Sequence, residues 1–246
     1  MRILGIIPAR FASTRFPGKP LAMIHGKAMI QRVYEQALKA EELAEVWVAT
    51  DDDRIAEFVA GFGGNVVTTL PDHITGTERC HEALQKIGLA DAVVNIQGDE
   101  PYIAPAQINE VARLLQKAHV EIATVVKRIE DAALLLDPNK VKVVMGKNNR
   151  ALYFSRSAIP FYRGESLNDW VLKHDFYKHI GLYGYKADAL RQIVHFEPTA
   201  LEIAESLEQL RWLENGKEIH CVISSYESMS VDTLSDLEEI ERTYAE

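Results

Sequence analysis

The chain has 246 residues, of which 47% are hydrophobic and 26% charged, and its formal net charge is −9. That size suits one large α/β domain with a smaller appendage, and the composition excludes a disordered chain. The acidic balance argues against nucleic acid as a main partner, because duplex binding needs an extended basic face. In chain order, short apolar runs alternate with longer runs of helical period. Strands are predicted at Arg2–Pro8, Glu45–Ala49, Asn65–Thr68, Ala92–Ile96 and Glu121–Val126. Helices are predicted at Ala28–Ala40, Asp52–Phe62, Gly76–Ile87 and Ala106–Ala118, from apolar residues spaced by three and four. Asp52 reads as a cap of the second helix, and Gly63-Gly64 as its stop.

Strand and helix in repeated alternation predict a parallel sheet with helices on both faces. Ligands of such sheets lie beyond the carboxyl ends of the strands. The first loop, Thr50-Asp51 and Gln97-Gly98-Asp99 are therefore expected along one edge. The rhythm breaks after about residue 127. Val141–Met145 and Ala151–Phe154 read as a hairpin across Gly146–Arg150, Ser157–Trp170 as irregular, and His179–Tyr185 as a further strand. Residues 1–246 thus read as one domain, with an inserted antiparallel lobe over approximately 128–185. Alternation resumes with helix Thr199–Asn215, strand Ile219–Ser224 and helix Leu234–Tyr244, whose start carries the capping pair Thr233 and Asp236.

Cys80 and Cys221 read as packing residues in a reducing compartment. No apolar run reaches the length of a membrane span, and the first residues enter a strand without a signal-peptide pattern. The expectation is a soluble cytoplasmic protein without stable membrane association.

The most informative stretch is Ile6–Pro20, where a strand runs into a loop bearing Arg10, Ser13, Thr14, Arg15 and Lys19. Arginine forks and a lysine point charge match a polyphosphate. The spacing is not that of a P-loop, since Ser13 stands where its first glycine would fall and Pro20 follows the lysine. The bland alternative is a basic surface loop. Asp99, at the tip of a buried strand beside Gly98, suits a hard cation such as magnesium, which takes one or two carboxylates plus phosphate oxygens; it also suits a turn cap. Asp232 is the candidate second carboxylate and equally a helix cap.

Asp51 is expected to face a nucleotide, with Asp52 and Asp53 serving the helix that follows. Arg79 reads either as a base or phosphate contact or as a solvated helix residue. His179 and Tyr183, four apart, face one side of a strand. Glu208 and Gln209 read as mid-helix residues on an exposed polar face.

The segments Ile7–Pro20, Ala49–Asp52, Gly76–Arg79, Asn95–Pro101, Ala151–Arg156, Lys178–Tyr183, Leu207–Arg211 and Val231–Thr233 closely resemble, in order and nearly end to end, those of 3-deoxy-manno-octulosonate (KDO) cytidylyltransferases. The first-loop motif is shared with sialic acid cytidylyltransferases; the Gln97–Pro101, His179 and Glu208-Gln209 segments favour the KDO branch. One departure is the turn Val144–Asn149, less acidic than the family pattern.

The resemblance implies a Rossmann-like nucleotidyltransferase fold with an inserted substrate and dimerisation lobe, a homodimer, and a magnesium-dependent reaction of CTP with KDO to CMP-KDO and pyrophosphate. It implies that Ala9, Arg10, Ser13, Arg15, Lys19, Asp51, Arg79 and Gln97 bind the nucleotide, and that Lys19, Arg15, Asp99 and Asp232 are catalytic. Asp99 and Asp232 would hold the metal. Gln97, Arg156, His179, Tyr183, Glu208 and Gln209 would face the sugar acid. Alternatives are a cytidylyltransferase for 8-amino-KDO or a sialic acid, a glycosyltransferase using Asp51–Asp53, and a CTP-binding protein without turnover.

Overall fold

Alternation along the first strand sets the plan of the molecule, described here by a computed structural model covering residues 1–12, 16–227 and 229–244, without the Asn168 side chain. Ser13 and Arg15 lie outside the described residues. Ile3 and Ile7 enter one apolar cluster and Leu4 and Ile6 another, as the two-residue period of a strand requires. The elements in order are β1 (Ile3–Ala9), β2 (Met23–Ile24), β3 (Lys27–Ala28), α1 (Met29–Ala37), β4 (Glu45–Thr50), α2 (Asp53–Gly61), β5 (Val66–Thr68), α3 (Gly76–Ile87), β6 (Ala92–Asn95), α4 (Pro105–Leu115) and β7 (Ile122–Ile129). They continue with α5 (Ala132–Leu136), β8 (Lys142–Met145), β9 (Ala151–Ser155), α6 (Trp170–Lys173), β10 (Phe176–Lys186), α7 (Ala187–Ile193), α8 (Ala200–Glu205), α9 (Glu208–Glu214), β11 (Ile219–Ile223) and α10 (Leu234–Thr243).

The main sheet runs β11-β7-β10-β6-β1-β4-β5, and β8 and β9 extend it from β10. β6, β1, β4 and β5 pair in parallel, as do β11 and β7, whereas β10 lies antiparallel between β6 and β7. Residues of α1, α2 and α4 pack on one face, and those of α3, α7 and α9 on the other. This is the expected mainly parallel sheet with helices on both faces. The predicted helix caps hold: Asp52 accepts from the Arg54 amide, and Thr233 with Asp236 forms a reciprocal capping box.

Two elements differ from the sequence expectation. The strand predicted at His179–Tyr185 is longer, and its second half forms the centre of the main sheet. Its burial alternates from Phe176 to Gly181 and then becomes continuous over Leu182–Tyr185, as a strand covered on both faces must be. The helix predicted at Thr199–Asn215 is two helices. Ser206 adopts a left-handed φ of 52°, and buried Leu207 turns inward before α9 begins. Glu208 and Gln209 therefore open a helix and do not lie in the middle of one.

The segment between β7 and β10 has its own small core of Ile129, Leu135, Trp170, Val171 and Phe176. A fourth cluster joins Val231 and Ile240 of the C-terminal segment to Ile24 and Met29. That packing brings the far end of the chain back to the first loop.

Candidate active site

Three parallel strands end toward one edge: β1 at Ala9 and β4 at Thr50, the last rung of their ladder, and β6 at Asn95, opposite Ile6. After β1 the loop turns back on itself where the Gly18 amide donates to Phe11 O at 3.0 Å. Gly18 has φ 72°, so its missing Cβ permits the turn that starts the short 3-10 helix at Lys19. After β6, Gly98 crosses so close to β1 that a Cβ would lie 3.0 Å from Pro8 O. Asp99 is thereby held beside the first loop.

The Lys19 ammonium is the centre of this edge. It donates to Asp99 Oδ2 at 2.7 Å, to Val231 O at 2.9 Å and to Asp232 Oδ1 at 3.4 Å. The Val231 amide in turn donates to Asp99 O at 2.9 Å, so the two carboxylate loops are tied by their backbones. Both carboxylates thus already converge on one cation. Among the described residues no group of three or more His, Cys, Asp or Glu side chains suits a metal. Two carboxylates fit an ion that draws its remaining ligands from phosphate oxygens and water, the habit of magnesium.

Behind this pair lies a buried cationic wall. Arg79 is fully buried, donates to Thr69 Oγ1 at 2.5 Å, and stands 3.0 Å from Asp51 Oδ1 in an ion pair whose alignment falls short of a hydrogen bond. Burial draws its pKa down, Asp51 opposes that, and neighbouring Arg10 adds to it. Arg79 Nε and Nη2 and Arg10 Nη2 are buried without a partner. Buried donors of that kind are costly, and an anion would satisfy them. The solvated-helix reading of Arg79 is excluded by its burial.

On the other side of β6, Gln97 Nε2 donates to Gly181 O at 3.0 Å. β10 bulges there, its register breaking between Ile180 and Tyr183. The Thr124 hydroxyl also serves the bulge, donating to Leu182 O at 2.9 Å. With that proton committed, His179 Nε2, 2.9 Å from the same oxygen, must be the N–H donor. Burial pushes His179 down to about 3. It is a neutral ring near pH 7, with Nδ1 as an acceptor.

Tyr183 packs against His179 and Trp212; its buried hydroxyl lies beside Thr124 without a well-aligned hydrogen bond. Glu208, first residue of α9, accepts from Thr77 Oγ1 at 3.0 Å. Burial raises its pKa, and the Thr77 bond works the other way. Gln209 is buried next to it. Arg156 Nε, Nη1 and Nη2 reach Glu205 O, Pro138 O and Ser206 O at 2.7, 3.2 and 3.3 Å, which leaves spare N–H donors on both Nη atoms.

Arg10, Lys19, Asp51, Arg79, Asp99 and Asp232 therefore share one edge with Ala9, and Gln97 links it to the His179–Tyr183 bulge. Sequence reasoning missed Thr124, Thr77 and the Val231 carbonyl. Each acts on a residue far away in the chain and carries no local signature.

Known proteins place the chain in a family. A cytidylyltransferase family model matches residues 4–219. A 3-deoxy-manno-octulosonate cytidylyltransferase of Parabacteroides distasonis is 54% identical over 97% of this chain and 96% of its own length. That of Cytophaga hutchinsonii is 52% identical over 98% and 97%. A CMP:2-keto-3-deoxy-manno-octonic acid synthetase solved in complex with CTP superposes with a TM-score of 0.93 at 40% identity, covering 100% of this chain and 99% of that one. A 4-diphosphocytidyl-2C-methyl-D-erythritol synthase from Anaerococcus prevotii, 14% identical over 100% of this chain and 96% of its own, shares the fold with a TM-score of 0.64. The chain belongs to the 3-deoxy-manno-octulosonate cytidylyltransferase family.

Proposed function

We propose that the protein transfers the cytidylyl group of CTP to the anomeric hydroxyl of KDO, forming CMP-KDO and pyrophosphate at the edge built by β1, β4 and β6. The observation that carries this reading is the Lys19 ammonium between Asp99 and Asp232, with unpartnered donors of Arg10 and Arg79 nearby. Transfer of this kind is mostly positioning and charge stabilisation. Arg10, Ser13, Arg15 and Lys19 hold the triphosphate, and Lys19 and Arg15 neutralise charge growing on the leaving pyrophosphate. Ala9, Asp51, Arg79 and Gln97 line the nucleotide.

Asp99 and Asp232 hold magnesium; when bound, the ion supplies charge neutralisation at the phosphate and a lower pKa for the attacking hydroxyl. Gln97, His179, Tyr183, Glu208 and Gln209 orient the sugar acid, His179 by accepting a hydrogen bond from a hydroxyl at Nδ1, and Arg156 supplies spare N–H donors to it. No described side chain stands out as a general base.

The lobe at about 128–185 serves dimerisation in a homodimer. The exposed Phe161 and Leu172 beside its small core support that assignment. The setting is cytoplasmic. Among the described residues no helix is long and apolar enough to cross a membrane. The product feeds lipopolysaccharide assembly.

The test is pyrophosphate release from purified protein with CTP and magnesium, with and without KDO. KDO-dependent release is expected. Release only with 8-amino-KDO or a sialic acid would change the substrate, and release with none would favour a CTP-binding protein without turnover.

A further inference from the structure

The parallel strands have a second end, away from the site above. There the segment leading into β7, the β8–β9 turn and the start of β11 line an open cavity of about 790 Å³. Its wall carries Lys117, His119, Lys147, Arg150, Glu218 and His220. Three fixed cations thus face one carboxylate, and Glu218 is already paired with Arg150. Among the described residues Lys117 and Lys147 have no ion-pair partner. In a chain of net charge −9 this is a local positive excess.

The cluster is built, not scattered. His220 is buried, and its Nδ1 has no hydrogen-bond partner; a buried polar atom left open marks a place for water or a ligand. The His119 ring packs edge-on against it at 5.3 Å. The turn is anchored to β11 by a bridge between Arg150 and His220 and closed by the Gly146 amide donating to Arg150 O at 2.8 Å. Asn148 and Asn149 hold left-handed φ values of 66° and 56°, which asparagine tolerates better than most residues. Lys147 and Arg150 flank them.

We propose that this cavity is a second anion site, which takes a small ligand bearing a pyrophosphate group, either free pyrophosphate or the polyphosphate of a nucleotide. Two unpaired ammonium groups and an arginine fork match several phosphate oxygens, and the volume exceeds what one phosphate would fill. None of its residues belongs to the edge that holds Lys19 and Asp99, so the two sites are separable by mutation.

The test is histidine imidazole NMR on the full chain, with His119 and His220 assigned through single His119→Gln and His220→Gln variants. Inorganic pyrophosphate is titrated first, ATP in parallel, and sulfate at matched ionic strength as control. A saturable shift of both imidazoles is expected, weakened at least tenfold in Lys117→Ala/Lys147→Ala while turnover stays at the wild-type level. Both lysines are exposed, so their loss leaves the core intact; Lys147→Glu provides a second comparison. A response to pyrophosphate alone assigns the free anion, and a response to both assigns the shared group. Absence of a saturable shift, an equal shift with sulfate, or unchanged binding in the lysine variants overturns the proposal.

Discussion

The rings of His179 and Tyr183 lie 5.1 Å apart, although they stand four positions apart along β10. A regular strand rising about 3.3 Å per residue would hold them roughly 13 Å apart. The register explains the closeness. His179 pairs with Val126 and Tyr183 with Thr124, so two residues of β10 are extruded between them. An even insertion keeps both side chains on one face while drawing them together, and Gln97 and Thr124 satisfy the carbonyls the bulge releases.

Thr124→Val tests that arrangement. It leaves the His179 N–H and Leu182 O without their partner, a loss of about 1–3 kcal/mol for a buried group. The KM for KDO should rise about tenfold or more while the KM for CTP holds. Equal changes in both would show that Thr124 supports the fold and not the orientation of His179.

Acid stability carries a signature of the same ring. The His179 pKa falls from its ordinary 6.5 to about 3 on burial, so between these values the unfolded chain binds a proton that the folded chain does not. Stability must therefore decline as pH falls through this window, by up to about 1.4 kcal/mol per pH unit from this group. Denaturant melts of His179→Asn should show a shallower decline between pH 6 and pH 4 than wild type. Parallel curves would assign the acid sensitivity elsewhere. The pH profile of turnover should likewise show no step from an imidazole near its ordinary value.

Asp99→Asn should abolish most pyrophosphate release with the thermal midpoint little changed, because Lys19 keeps Val231 O and Asp232 as partners. A variant with near wild-type turnover would remove Asp99 from the metal site.

Lys19→Ala should cost about 2–4 kcal/mol of transition-state stabilisation, by analogy with loss of one oxyanion donor, seen as a drop in kcat of roughly 30- to 1000-fold. A change confined to the KM for CTP would make Lys19 a ground-state ligand.

Gly98→Ala should destabilise by about 1–3 kcal/mol, the usual scale of overpacking, since its Cβ would press on the Pro8 carbonyl. The shift carries Asp99 with it, so turnover should fall even where the protein stays folded. Full activity with unchanged stability would show that the loop relaxes freely.

The parallel half of the sheet was legible because its signals are local. Apolar runs such as Ala92–Asn95 and the capping residues Asp52 and Thr233 act within a few residues of themselves. The placement of Arg10, Lys19 and Asp99 along one edge was legible for the same reason, since each stands within a short loop of a strand's end. The central place of β10 and the break at Ser206 were not. A run of alternating residues does not name its partner strand, and a left-handed serine is chosen by the packing of Leu207 around it.

By itself, then, the sequence determined the residue types of the candidate site, the strand tips that bear them and, through resemblance along nearly its whole length, the family. Tertiary structure alone decided which of those residues meet. Asp232 reaches Lys19 because Val231 and Ile240 bury themselves against Ile24 and Met29. Glu208 reaches Thr77 because a helix breaks one turn earlier. Contacts between residues more than 100 positions apart are set by burial and closure of the whole chain, which no local pattern encodes.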